Sequence, residues 1–241
     1  MGTLVGHLVD WRHGYSLGLK ILVYSILMDN FINYVWPIVS PYTMVSKERI
    51  QNNIHCIDEI VRKNISGDIV EIGVYKGGSV LSMLLALQHK GVVRPTRLYD
   101  TFTGLTAATE HDVEIRSGKH FNERLKEVPW FQCVADIETV KKTMSFIPYP
   151  SDSIHYHVGD IMKCTEFPEQ IALLRLDTDF YDSTKYELEH FYPRVSSGGI
   201  VIIDDYGCWK GSRKATDEFL KEYPDIRLLP IDGTGVYFYK P

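Results

Sequence analysis

Asp68-Ile69-Val70-Glu71-Ile72-Gly73-Val74-Tyr75-Lys76-Gly77-Gly78-Ser79 opens as a short β-branched strand, bends at Gly73 and enters a helix that runs to about His89. Glycines between a strand and a helix let the backbone turn tightly and let a ligand approach it closely. The spacing is not the GxGxxG of dinucleotide sites, and Glu71 stands where the first glycine would be. A carboxylate beside a phosphate is unfavourable, so the turn suits a neutral or cationic ligand. S-adenosylmethionine, with its sulfonium and ammonium, fits that description. Asp100 ends the next strand and can accept hydrogen bonds from a ribose diol. The same glycines could instead serve only close helix–strand packing.

Outward from this stretch, strands and helices alternate. Strands are expected at Arg97–Asp100, Ile154–Val158, Ile171–Leu176 and Gly199–Ile203, and helices at Ile137–Met144, Thr184–Tyr192 and Arg213–Tyr223. A hairpin is expected from Ile226–Pro230 and Gly235–Tyr239. That alternation predicts an α/β fold, a mostly parallel sheet with helices on both faces. Ser46 reads as the N-cap of a helix from Lys47 to about Lys63. Leu17, Ile21, Tyr24, Met28, Phe31 and Val35 form one stripe of a further helix over residues 15–36, which could be core, lid or dimer seam. The reading is a single domain over 1–241, with a helical segment at 1–64 and the sheet core at 65–241. Residues 104–136 read as a long polar loop, a length that is usually functional and often a lid.

Two strands end in acids. Leu174-Arg175-Leu176 leads to Asp177-Thr178-Asp179, and Ile202-Ile203 leads to Asp204-Asp205-Tyr206-Gly207. Open α/β sheets bind ligands at the carboxyl ends of their strands, so all four carboxylates are expected on the edge that holds the glycine turn. A hard divalent cation, Mg²⁺, Mn²⁺ or Ca²⁺, would relieve their repulsion. Single aspartates at such places also serve as caps and turn formers.

Composition narrows the field. In 241 residues, 26 Lys+Arg against 31 Asp+Glu give a net charge of −5, which offers no broad basic field for nucleic acid. Four scattered cysteines lack metal spacing and point to reduced thiols in the cytoplasm. No signal peptide is expected at residues 2–10. Lys20, Asp29, Asn30 and Asn33 argue against a membrane span in Leu17–Ile38, and Gly6 argues against myristoylation.

Tyr42-Thr43-Met44, Glu71-Ile-Gly73-x-x-x-Gly77-Gly78, Asp100-Thr101-Phe102-x-Gly104-Leu105, Arg175-Leu-Asp177-x-Asp179-x-Tyr181-x-Ser183-Thr184 and Ile203-Asp204-Asp205-Tyr206 occur in this order. Together, over about residues 20–220, they resemble the macrocin O-methyltransferase family. The resemblance implies a Rossmann-like class I methyltransferase that methylates a sugar hydroxyl, with a deoxyhexose such as rhamnose, free or in a glycoside, as the expected acceptor. It implies S-adenosylmethionine as methyl donor and Mg²⁺ (or Mn²⁺) held by Asp177, Asp204 and Asp205, with Asp179 as general base. Cofactor contacts are implied at Glu71, Gly73, Tyr75, Gly77, Gly78, Ser79, Asp100, Thr101 and Phe102. Thr43 and Met44 match an N-terminal segment that closes on the methionine part. The family shows Gly-Trp-Phe where this chain has Gly159-Asp160-Ile161, so the adenine edge, expected at Gly159 and Asp160, is built differently. A homodimer or higher homo-oligomer is compatible with this reading.

His155 and His157 share one strand face and read as a satisfied structural pair rather than a metal site. Tyr42, Tyr181 and Tyr206 could stack on a sugar or simply pack. Two rival readings stand beside the methyltransferase. Asp177-x-Asp179 is also the DxD of many nucleotide-sugar glycosyltransferases, and the fold could serve as a non-catalytic sugar-binding module.

Overall fold

The computed structural model describes residues 30–241. Most of the helix expected over 15–36, with Leu17, Ile21, Tyr24 and Met28 of its stripe, lies outside the described residues, as do the leader and myristoylation expectations. Residues 30–39 are helical (α1), and their Val35 and Val39 are fully buried. Pro41 closes this helix in a 3-10 turn over Ser40–Tyr42.

Seven strands form one sheet in the order β3-β2-β1-β4-β5-β7-β6. They are β1 (Asp68–Ile72), β2 (Thr96–Asp100), β3 (Ile154–Val158), β4 (Ile171–Leu176), β5 (Val195–Ile203), β6 (Leu229–Pro230) and β7 (Val236–Tyr239). β1 to β5 are mutually parallel, and β7 returns antiparallel against β5. The central strands are mostly apolar, as a sheet covered on both faces demands, with Glu71 and Arg175 the buried exceptions on β1 and β4. β4 is buried at all six positions, and its one charged residue is Arg175.

α2 (Lys47–Arg62), α3 (Gly78–His89) and α5 (Ile137–Met144) cover one face with α1, sharing a core that includes Ile54, Leu81, Leu84 and Val140. Ser46 caps α2 as expected, accepting the Arg49 N–H at 3.2 Å. α6 (Tyr181–His190) and α7 (Lys210–Glu222) cover the other face through Leu188, Phe191 and Phe238. Among the described residues no helix is long and apolar enough to cross a membrane.

The structure departs from the sequence reading in several places, among them α1, which runs past Pro37 to residue 39, and α7, which starts at Lys210 rather than Arg213. β5 starts at Val195 rather than Gly199, because a bulge carries Gly198 at φ +75° and shifts the register against β4. α6 starts at Tyr181, three residues early, on Phe180. The 104–136 segment is not structureless. It holds α4 (Phe121–Glu127) and a 3-10 turn at Pro129–Gln132. Asp112, fully buried, pins it to the core by accepting from Thr109 N at 2.6 Å and from Tyr181 N at 2.8 Å. Phe121, Phe180 and Trp209 form a small third core beneath it.

Candidate active site

Ladder hydrogen bonds run past the strand ends and bring the motifs to one edge. Gly73 N donates to Tyr99 O at 2.9 Å, Asp177 N to Ile72 O at 2.9 Å, Gly159 N to Asp100 O at 2.9 Å, and Asp204 N to Leu176 O at 3.0 Å. The loops that follow surround one cavity. Its walls include Thr43, Met44, Glu71, Gly73, Tyr75, Ser79, Asp100, Thr101, Gly159, Asp177, Asp179, Asp204 and Asp205. Thirteen of the residues singled out from sequence therefore meet in one place. Gly73 is required by a close approach: a Cβ there would lie 2.0 Å from Asp177 O, and its φ is +81°.

Gly77, Gly78, Phe102 and Asp160 are placed elsewhere. A Cβ on Gly77 would meet Met144 Cε at 2.7 Å, and one on Gly78 would meet the Tyr42 backbone at 2.7 Å. These two glycines serve packing of α5 and of the segment before α2. Phe102 is buried in the main core. Asp160 caps the next turn, accepting from Met162 N at 3.0 Å, and borders a neighbouring cavity with His157 and Glu166. None of Tyr42, Tyr181 and Tyr206 borders the acidic cavity. Tyr42 packs on Phe146, while the Tyr181 and Tyr206 hydroxyls donate to Glu218 and Asp217. His157 stacks on Tyr99 at 4.2 Å, but its buried Nε2 has no hydrogen-bond partner, so it is not the satisfied histidine expected.

Asp100 organises the glycine loop directly. Its Oδ2 accepts Val74 N at 2.6 Å and Tyr75 N at 3.2 Å, and its Oδ1 accepts Phe102 N at 2.8 Å. Backbone at positive φ concentrates here. Tyr75 (+49°), Phe102 (+53°), Cys133 (+55°) and Asp179 (+68°) belong to these loops, and each such conformation costs on the order of 1–3 kcal/mol unless its surroundings hold it.

The electrostatics rest on two arginines that sequence reasoning did not assign. Arg175, fully buried, donates from Nη1 to Glu71 Oε1 at 2.6 Å and to Asp177 Oδ2 at 2.6 Å, and from Nη2 to Asp204. A lone arginine in an apolar strand was the available signal. Arg49 of α2 reaches Asp204 as well, with its Nε on Asp232 at 2.8 Å. The six carboxylates of the cavity wall still outnumber the two guanidiniums. Burial pushes Glu71 up to about 8, with Arg175 opposing and Asp177 adding. Burial and the charge of Asp177 raise Asp179. Asp205 is raised well above the ordinary carboxylate range, by burial and then by Asp179, Asp177 and Asp204.

Asp177, Asp204 and Asp205 each offer an oxygen within 4.8 Å of the others, the only such group of three among the described residues. Asp205 Oδ2 is buried and has no hydrogen-bond partner. An all-oxygen set with an orphaned, mutually repelled carboxylate fits a hard divalent cation. Glu71 Oε2 is likewise buried and unpartnered, an acceptor suited to a cationic ligand. On the far side, Trp209 Nε1 donates to Asp179 Oδ1 at 2.7 Å.

The strand order, with β7 antiparallel beside β5 and the acidic cavity at the carboxyl ends of β1, β2, β4 and β5, defines a Rossmann-like class I methyltransferase of the S-adenosylmethionine-dependent type. The family model "Macrocin-O-methyltransferase (TylF)" matches residues 32–240, and the chain belongs to that family. It is 31% identical over 209 residues to the 8-demethyl-8-(2,3-dimethoxy-alpha-L-rhamnosyl)-tetracenomycin-C 4'-O-methyltransferase of Streptomyces olivaceus, covering 84% of this chain and 77% of that protein. It is 30% identical over 204 residues to the mycinamicin III 3''-O-methyltransferase of Micromonospora griseorubida, covering 82% and 78%. The solved structure of the O-methyltransferase NovP superposes with a TM-score of 0.70 at 28% identity, covering 83% of this chain and 82% of that one. The protein is thus an O-methyltransferase, which displaces the glycosyltransferase and binding-module readings.

Proposed function

We propose that this enzyme transfers a methyl group from S-adenosylmethionine to a hydroxyl of a sugar, with a deoxyhexose such as rhamnose as acceptor and Mg²⁺ or Mn²⁺ at the acidic cluster. The observation that carries the reading is Asp179, set at φ +68° on the same cavity wall as Asp177, Asp204 and Asp205. The rhamnosyl group in the name of the Streptomyces olivaceus relative supports the acceptor class.

When bound, S-adenosylmethionine supplies a methyl carbon on a positively charged sulfur, and a divalent cation supplies charge that stabilises a developing alkoxide. Asp177, Asp204 and Asp205 would hold that cation. Glu71, Gly73, Tyr75, Ser79, Asp100 and Thr101 line the part of the cavity assigned to the methyl donor. Thr43 and Met44, in the segment before α2, line the cavity as well, which supports a contact of that segment with the donor. Asp179 takes the acceptor proton on the carboxylate oxygen that Trp209 does not occupy, as the new O–C bond forms and the C–S bond breaks. Positioning inside a closed site supplies the rest of the rate. Four free cysteines, Cys56 buried among them, suit a reducing cytoplasmic setting.

The test is turnover of methyl-labelled S-adenosylmethionine against a panel of rhamnosides, other deoxyhexosides and free sugars. Methylation of a deoxyhexose hydroxyl supports the reading. Binding of the donor with transfer to no sugar in the panel, and to a non-sugar diol instead, overturns the acceptor class.

A further inference from the structure

Glu187 lies in α6, away from the cavity wall, and its side chain is entirely buried. No cation faces it. Its Oε1 accepts a hydrogen bond from Thr178 Oγ1 at 2.7 Å, and its Oε2 has no partner. Thr178 Oγ1 also lies 2.8 Å from Ser183 Oγ, one turn earlier in α6. Thr178 is the residue between Asp177 and Asp179. Asp179 stands at φ +68°, a conformation that persists in a non-glycine residue only where its surroundings over-determine it.

A buried carboxyl without a cation is costly, so its retention calls for a specific role. Burial raises Glu187 above the ordinary carboxylate range, the Thr178 hydrogen bond opposing and the charges of Asp177 and Asp179 adding. α6 is a packed helix, and its Ser183 and Glu187 grip the loop from below at two points one turn apart.

We infer that Glu187 is a positioning residue for this reaction: through Thr178 it holds the Asp177–Asp179 loop in its left-handed geometry and so aims the Asp179 carboxylate. This rests on Asp179 being the base. The expected signature is a loss in kcat without a loss in donor binding, because the S-adenosylmethionine wall is built from β1 and β2.

The experiment compares Glu187→Gln, Glu187→Leu, Thr178→Val and Asp179→Asn in steady-state methyl transfer, with Tm recorded for each. Glu187→Leu and Thr178→Val are expected to lower kcat about 30-fold while KM for S-adenosylmethionine stays within about twofold. Glu187→Gln, which keeps an acceptor oxygen, is expected to hold kcat within about threefold. Wild-type kcat in Thr178→Val, or equal losses in Glu187→Gln and Glu187→Leu, overturns the positioning role. Should Glu187→Leu fail to fold, Thr178→Val alone decides, since it removes the hydroxyl and leaves Glu187 in place. Asp179→Asn separates the two levels. Full turnover there overturns the base and the positioning role together, whereas an inactive Asp179→Asn beside a fully active Thr178→Val overturns the positioning role alone.

Discussion

The indole of Trp209 donates from Nε1 to Asp179 Oδ1 at 2.7 Å, so the proposed base is held by the residue that precedes α7. Trp209 also packs edge-on against Phe121 at 5.7 Å and bridges Glu114 through its backbone. The 104–136 segment and the proposed base therefore share one anchor.

Trp209→Phe keeps the ring and removes the donor. Burial and the charge of Asp177 raise Asp179, and the Trp209 bond opposes them. Losing that bond raises Asp179 further, so a higher pH is needed to ionise the base. The acid limb of kcat/KM should move to higher pH, and kcat at neutral pH should fall about tenfold, in line with a hydrogen bond to a charged group. An unchanged limb in the pH profile would show that Trp209 does not tune Asp179.

Cation binding should be visible without turnover. The three clustered aspartates and the orphaned Asp205 Oδ2 predict that Mg²⁺ or Mn²⁺ raises Tm, by the equivalent of about 2.7 kcal/mol at one hundred times Kd. Asp205→Asn should abolish the shift, and EDTA should suppress methyl transfer. A wild-type protein indifferent to both cation and chelator sinks the metal assignment.

Gly73→Ala tests the meeting of β1 and β4. The added Cβ would sit 2.0 Å from Asp177 O, and the backbone at +81° disfavours any side chain. A loss of about 3 kcal/mol in urea unfolding is expected, with activity falling alongside because Asp177 must move. Wild-type stability would mean that the two loops are not locked together.

Asp232 ties the start of α2 to the β6–β7 turn. It accepts from Ser46 Oγ at 3.0 Å, Arg49 Nε at 2.8 Å and Gly235 N at 2.8 Å. Desolvation acts against it, yet the backbone donors Gly235 and Thr234 and the charge of Arg49 lower it to about 2. A depressed carboxylate stabilises the fold above its unfolded value of about 3.9, and that contribution is lost as pH falls through the folded value. Asp232→Asn should therefore have a lower Tm than wild type at pH 7, with the gap closing between about pH 4 and pH 2. A gap that stays constant across that range would place the effect in packing rather than charge.

Much of this site is legible along the chain because its acids stand at strand ends. Parallel strands covered on both faces need mostly apolar runs, so Ile69–Ile72, Ile171–Leu176 and Ile200–Ile203 announce themselves despite Glu71 and Arg175, and the polar residues that follow each run must lie at one edge. Less was legible where a residue's role depends on what crosses from elsewhere. Gly77 and Gly78 read as cofactor-loop glycines, yet Met144 and the Tyr42 backbone, far off in sequence, occupy the space against them. The polarity of 104–136 hid α4, whose seven residues present only Phe121 and Leu125 to the small third core.

Sequence by itself determined the α/β architecture, the edge on which Glu71, Asp100, Asp177, Asp179, Asp204 and Asp205 gather, and the family. Periodicity and strand-end position are local properties, and they survive any arrangement of the rest. Only the tertiary structure decided how those charges are balanced. Arg175 comes from inside β4 and Arg49 from α2, Trp209 approaches Asp179 from the start of α7, and Glu187 rises beneath Thr178 from α6. Ion pairs and hydrogen bonds act over a few ångströms in space, whatever the separation along the chain, so those partners were fixed by packing alone.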